Sequence, residues 1–157
     1  MAFHILTIET APVGIRPAFC AGVNLALLRG VSLRILIVDD EPNHRRSLAV
    51  ALRLAGFATF EAGDGEAALR RLEVDAEVDV AILDLMMPGM SGLELARRMR
   101  VRHPQVRLML TSAYHLSRRQ LERTEIGIST FLPKPFDVEQ LVSYLGGKAP
   151  PATSPAS

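Results

Sequence analysis

Four short apolar runs in this sequence end in residues that could do chemistry together. Ile35-Leu36-Ile37-Val38 leads directly into Asp39-Asp40-Glu41, and Val80-Ala81-Ile82-Leu83 leads into Asp84. Val106 to Leu110 is followed by Thr111, Ser112 and Ala113, and Phe131-Leu132 by Pro133, Lys134 and Pro135. Carboxylates brought to one place repel each other unless a hard divalent cation neutralises them, and an oxygen-only ligand set suits Mg²⁺. Taken singly, each of these Asp residues reads more simply as a helix cap or turn residue. Lys134 and Lys148 are the only lysines among 18 basic residues, the rest being Arg. A lysine after the last run therefore suggests a compact point charge, suited to a phosphoryl oxygen, in place of a planar fork. The plain alternative is a solvated side chain on a loop. A Thr111 hydroxyl could hydrogen-bond an anion on Asp84, with small Ser112 and Ala113 leaving space, although satisfying a loop backbone group explains it equally well.

The elements that must position these residues follow from hydrophobic patterning. From Leu33 onward, short runs rich in Ile, Val and Leu alternate with amphipathic segments, a βαβ pattern whose strands are buried on both faces. The predicted strands are 33–38, 57–61, 80–83, 106–110 and 130–132. Between them lie helical stripes: Leu48, Ala51, Leu52, Ala55; Gly65, Ala68, Leu69, Leu72; Gly92, Leu95, Ala96, Met99; and Val138, Leu141, Val142, Leu145. The segment from His115 to Ile126 carries only Leu116, Leu121 and Ile126 as large apolar residues, which predicts a loosely packed fourth helix among five. Pro42 suits a first helical position, Gly56 a helix stop, and Asp64, Ser91 and Asp137 suit N-caps. Right-handed crossovers then give a five-stranded parallel sheet with helices on both faces, its active residues at the carboxyl ends of the strands.

Composition removes several function classes. The chain has 157 residues, 48% apolar and 22% charged, with a net charge of +1, which excludes wholesale disorder, collagen-like repetition and a coiled coil. No block of like charge offers a grip for nucleic acid or anionic lipid. The single Cys20 cannot form an internal disulfide, and no signal peptide or span of 18 apolar residues stands out, so the expected location is the cytoplasm, with no membrane partner.

The ends differ from the middle. Residues 148–157, rich in Pro, Ala and Ser, predict a disordered tail. Residues 1–32 contain apolar pieces broken by Pro12, Gly14, Pro17 and Gly22 that match no required element. Two readings stay open for them: a translated upstream region, with Val31 as the natural start, or an extension that packs on the domain at 33–147.

Together, Asp39, Asp40, Asp84, Thr111 and Lys134 stand at the ends of strands 1, 1, 3, 4 and 5, and the phrases ILIVDDE, LDLMMPGMSGLEL, LMLTSAY and FLPKPF resemble the receiver domain of bacterial two-component response regulators. The resemblance implies a flavodoxin-like, doubly wound α/β sheet in the order 2-1-3-4-5 and phosphoryl transfer from a histidine kinase or phosphotransfer protein. It makes Asp84 the phosphoacceptor and Asp40 a direct Mg²⁺ ligand, with Asp39 acting through water on the metal and Met86 offering its backbone carbonyl. Thr111 and Lys134 would bind phosphoryl oxygens, and Phe131 would turn inward after phosphorylation. Output would run through the face made by the fourth predicted helix, the fifth strand and the last helix, which would bind a downstream effector protein or form a homodimer. With no helix pair after Gly146 to read DNA, the expectation is a single-domain regulator that signals by protein contact or phosphate relay. Such a domain is no enzyme beyond catalysing its own phosphorylation and dephosphorylation.

Competing signals are weaker. Gly63-Asp64-Gly65-Glu66-Ala67-Ala68 fits G-x-G-x-x-A after a strand, but Asp64 and Glu66 would repel a pyrophosphate. An aspartate-nucleophile phosphatase would want a second carboxylate two residues past Asp84, where Met86 stands. A phosphorylation-independent interaction module would carry an unused carboxylate cluster at a cost in stability.

Overall fold

The computed structural model describes residues 32–74, 77–114, 120 and 123–147. The readings made for the tail, for most of residues 1–32 and for most of the fourth predicted helix lie outside them. The described elements are β1 (Arg34–Val38), α1 (Pro42–Leu54), β2 (Ala58–Ala62), α2 (Gly65–Val74), β3 (Val80–Asp84), α3 (Gly92–Arg102), β4 (Arg107–Ser112), β5 (Thr130–Pro133) and α4 (Val138–Leu145). The strands form one sheet in the order β2-β1-β3-β4-β5, every pairing parallel. This is the doubly wound, flavodoxin-like topology that the resemblance implies.

Alternate strand residues feed two separate cores, as a period of two requires. Leu36, Val38, Ala81, Leu83, Leu108, Leu110 and Phe131 join Leu69 and Leu72 of α2 and Leu95 and Met99 of α3 on one face. Ile35, Ile37, Val80, Ile82, Met109 and Leu132 join Leu48 and Leu52 of α1 and Leu141 and Leu145 of α4 on the other. With both faces covered, the central β3 is buried along its whole length, which explains its unbroken apolar run. Truncating one of these fully buried leucines to Ala costs roughly 2–5 kcal/mol. That makes the sheet a stiff base for whatever its ends carry.

Helix boundaries follow local chemistry. Pro42 opens α1, and Gly56, at φ +92°, turns the chain out of it in a conformation that penalises a side chain. Asp64 accepts a hydrogen bond from the Ala67 N–H at 2.7 Å at the start of α2. Ser91 accepts from the Glu94 N–H to open α3, and Asp137 accepts from the Glu139 and Gln140 N–H groups to open α4. Four strands run further than the apolar pattern suggests: β2 and β5 end one residue later, at Ala62 and Pro133, β3 includes Asp84 and β4 reaches Ser112. Polar residues end an apolar run in the sequence, yet here the parallel ladder pairs Asp84 with Thr111 and carries both into buried positions.

Candidate functional site

The site lies along the carboxyl edge of the sheet, where backbone ladders continue past the strand ends. The Asp39 N–H donates to the Ala62 carbonyl at 3.2 Å, Leu85 N–H to Thr111 at 2.8 Å, and Lys134 N–H to Ser112 at 2.7 Å. Each residue next to the chemistry is thus fixed by main-chain bonding to the neighbouring strand. Gly92 adds a constraint from behind: a Cβ there would lie 2.2 Å from the backbone oxygen of Asp84. The sequence pattern places Gly92 on the apolar stripe of its helix; its real role is to let α3 begin against the main chain of Asp84.

The side chains converge. Lys134 Nζ lies 2.7 Å from Asp84 Oδ2 and 3.0 Å from Asp39 Oδ2. Asp39 Oδ1 accepts from the Glu41 N–H at 2.9 Å, and Asp84 Oδ1 from the Met86 N–H at 3.2 Å. One carboxylate oxygen from each of Asp39, Asp40 and Asp84 lies within 4.8 Å of the others. Asp39 and Asp84 are buried, whereas Asp40 is exposed. Burial pushes the Asp39 carboxyl up, but hydrogen bonds from His44, the Glu41 N–H and Lys134, with the lysine's charge, hold it below the ordinary carboxylate value. Burial likewise pushes Lys134 down, and its bonds to Asp84 and Asp39 more than offset this, so the ammonium is held above its ordinary value. Asp39 and Lys134 are therefore both charged at neutral pH.

One ammonium faces three carboxylates, so the cluster keeps a net negative charge. Its donors are all oxygen and one of them, Asp40, faces solvent, a set that fits a hard divalent cation retaining part of its water.

The remaining expected residues fall at the same edge or just behind it. Thr111 is buried beside Asp84 in the ladder, and its hydroxyl lies 3.5 Å from the Leu83 carbonyl, a long contact. The Met86 side chain is exposed. Phe131 is buried in the α2 and α3 core with Leu110 and Ile126. Burying an aromatic ring is favourable in its own right. The Lys134-Pro135 peptide bond is cis.

Two residues escaped the sequence pattern. His44 Nδ1 lies 2.6 Å from Asp39 Oδ2, and Arg45 donates from a terminal guanidinium nitrogen to the Asp39 carbonyl at 2.6 Å. Arg45 also approaches Glu61 at 3.7 Å, joining the exits of β1 and β2. The one available signal was position: both occupy the first turn of a helix opened by Pro42 immediately after the acidic pair.

Comparison with known proteins agrees with this geometry. A family model described as "Response regulator receiver domain" matches residues 35–146. The regulatory protein AtoC of Escherichia coli is 39% identical over 108 residues, covering 69% of this chain and 23% of that protein. Sporulation initiation phosphotransferase F of Bacillus subtilis is 34% identical over 108 residues, covering 69% of this chain and 86% of that protein. Among solved structures, response regulator protein TrrA of Thermotoga maritima in complex with Mg²⁺-BeF superposes with a TM-score of 0.61 at 34% identity, over 72% of this chain and 98% of that one. The chain spans only about a quarter to a half of the length of several curated relatives it matches, AtoC and other multidomain regulators among them. The chain belongs to the response regulator receiver domain family of two-component signalling proteins.

Proposed function

We propose that Asp84 accepts a phosphoryl group from a histidine kinase or phosphotransfer protein, and that the modified domain, spanning residues 33–147, signals by protein contact or relays the group onward. The observation that carries this is the Lys134 ammonium held between Asp84 and Asp39 on a buried rim. Asp39, Asp40, Asp84 and the Met86 backbone carbonyl would hold Mg²⁺, which when bound neutralises charge on the carboxylates and on the incoming phosphoryl oxygens. One carboxylate oxygen of Asp84 attacks phosphorus in line as the bond to the donor atom breaks, and the leaving group keeps the electron pair. Positioning and charge neutralisation supply most of such a step. Lys134, 2.7 Å from Asp84, is close enough to transfer its hydrogen bond to a phosphoryl oxygen. The Thr111 hydroxyl, weakly held by Leu83, is free to turn toward the same group.

The acyl phosphate adds anionic oxygens where a carboxylate stood, and drawing Thr111 and Lys134 toward them changes the surface around β5 and α4. That surface, with the segment 115–126, is the proposed contact for a downstream effector or a second copy of the chain. The names of the Bacillus phosphotransferase and of the Thermotoga Mg²⁺-BeF complex support phosphoryl and Mg²⁺ chemistry on this fold. No described helix is long and apolar enough to cross a membrane, in keeping with a proposed cytoplasmic site of action.

Intact mass after incubation with acetyl phosphate tests the proposal. Gain of one phosphoryl group by the parent, dependent on Mg²⁺ and absent in Asp84→Asn, is the expected result. No gain under any condition would leave a receiver fold that binds its partner without phosphorylation.

A further inference from the structure

Among the described residues, His44 and Arg45 both touch the acidic rim without a part in the proposed chemistry, and of the two only His44 reaches an Asp39 carboxylate oxygen. Its Nδ1 lies 2.6 Å from Asp39 Oδ2, the same oxygen that takes Lys134 Nζ at 3.0 Å, while Oδ1 is occupied by the Glu41 N–H. An ionised carboxylate only accepts hydrogen bonds, so Nδ1 carries the hydrogen and the imidazole donates. The ring also packs edge-on against Phe136, with centroids 6.0 Å apart and planes at 73°, and Phe136 stands two residues beyond Lys134. His44 therefore sits between the first acidic residue and the loop that brings the lysine.

We infer that His44 is a positioning residue: it fixes the Asp39 carboxylate for the cation site, and keeps it fixed when Lys134 turns to a phosphoryl group. In the present arrangement Lys134 is shared by Asp39 and Asp84. Once its ammonium binds a phosphoryl oxygen, Asp39 loses one of its two side-chain donors, and His44 is the one that remains. Groups that orient a metal's ligands in this way typically alter affinity by about 10- to 100-fold when removed. The inference rests on the Mg²⁺ role proposed above and gives that role a dedicated orienting residue on α1.

Mg²⁺ affinity, measured by calorimetry on the unphosphorylated full chain, reads this without any activity assay. His44→Phe keeps a ring against Phe136 and removes the donor; His44→Asn keeps a donor near the Nδ1 position and removes the ring. The expected result is about tenfold weaker Mg²⁺ binding in His44→Phe, with near-parental binding in His44→Asn. In an Asp39→Asn background, His44→Phe should cause no further loss, because the histidine acts through that carboxylate. Thermal melts of each variant separate lost affinity from lost fold. Unchanged affinity in His44→Phe, equal loss in both single variants, or an undiminished loss in the Asp39→Asn background would overturn the inference and leave the proposed function standing. A parent chain that binds no Mg²⁺ would overturn both.

Discussion

At the β1, β3 and β5 corner of the carboxyl edge, all four carboxylate oxygens of Asp39 and Asp84 have a donor within 3.2 Å. At the end of β4, which lies between β3 and β5, the buried Thr111 hydroxyl has among the described residues only the Leu83 carbonyl at 3.5 Å, and an exposed Ala113 follows shortly after. The two corners share one ladder, since Asp84 pairs directly with Thr111. Their difference separates two requirements of the proposed switch. Charged groups must be held in register before a reaction whose catalysis is mostly positioning, and at least one group must be cheap to move afterwards. A hydroxyl whose only hydrogen bond is long gives up little when it turns away.

The largest break in this contrast comes from the tight corner. Lys134→Met should slow phosphorylation by acetyl phosphate about 10²- to 10³-fold, the usual effect of deleting one preorganised donor. It should also lower stability by about 1–3 kcal/mol at neutral pH, because Asp39 and Asp84 are left buried without their shared cation. A mass time course and urea melts measure the two effects, and a variant that phosphorylates at the parental rate would mean that Lys134 is only a structural pair.

A smaller effect appears in the pH dependence of the metal-free protein. Asp39 is held below its usual 3.8, so its contribution is present above that value and is lost as pH falls through the folded pKa. Lys134 is held above its usual 10.5, so its contribution is present below that value and is lost as pH rises through the folded pKa. Urea melts across pH in EDTA should show both declines, and Asp39→Asn should flatten the acid limb. An acid limb identical to the parent's would show that the Asp39 hydrogen bonds do not stabilise the fold.

The smallest stability effect belongs to the slack corner. Thr111→Val should change stability by less than about 1 kcal/mol, since the bond it removes is long. It should nevertheless weaken the response to phosphorylation, read as smaller chemical-shift changes along β5 and α4 when Asp84 is modified. A large loss of stability with an unchanged response would reverse the assignment of the two corners.

The parallel strands, the two helix layers and the residues at the strand ends were legible in the residue pattern, and the sheet order followed from the resemblance to receiver domains. A doubly wound topology sends the ends of all its strands to one edge, whatever the details of packing. Asp39, Asp84 and Lys134 could therefore be brought together on paper without a distance. Strand limits were less legible: Asp84 and Ser112 end apolar runs, and only tertiary burial shows that they continue the ladder. His44 and Arg45 left no periodic signal at all. Their contacts with Asp39 depend on how the first turn of α1 packs beside the end of β1, which a one-dimensional pattern does not carry.

Reduction of the phosphorylated protein with borohydride, which converts an aspartyl phosphate to homoserine, followed by peptide mapping, tests the central claim most directly. Homoserine at position 84 alone, formed only in samples given acetyl phosphate with Mg²⁺, is the result expected of a rim built around Asp84. Homoserine at Asp39, Asp40 or another carboxylate, or at no position in a folded sample, would contradict it.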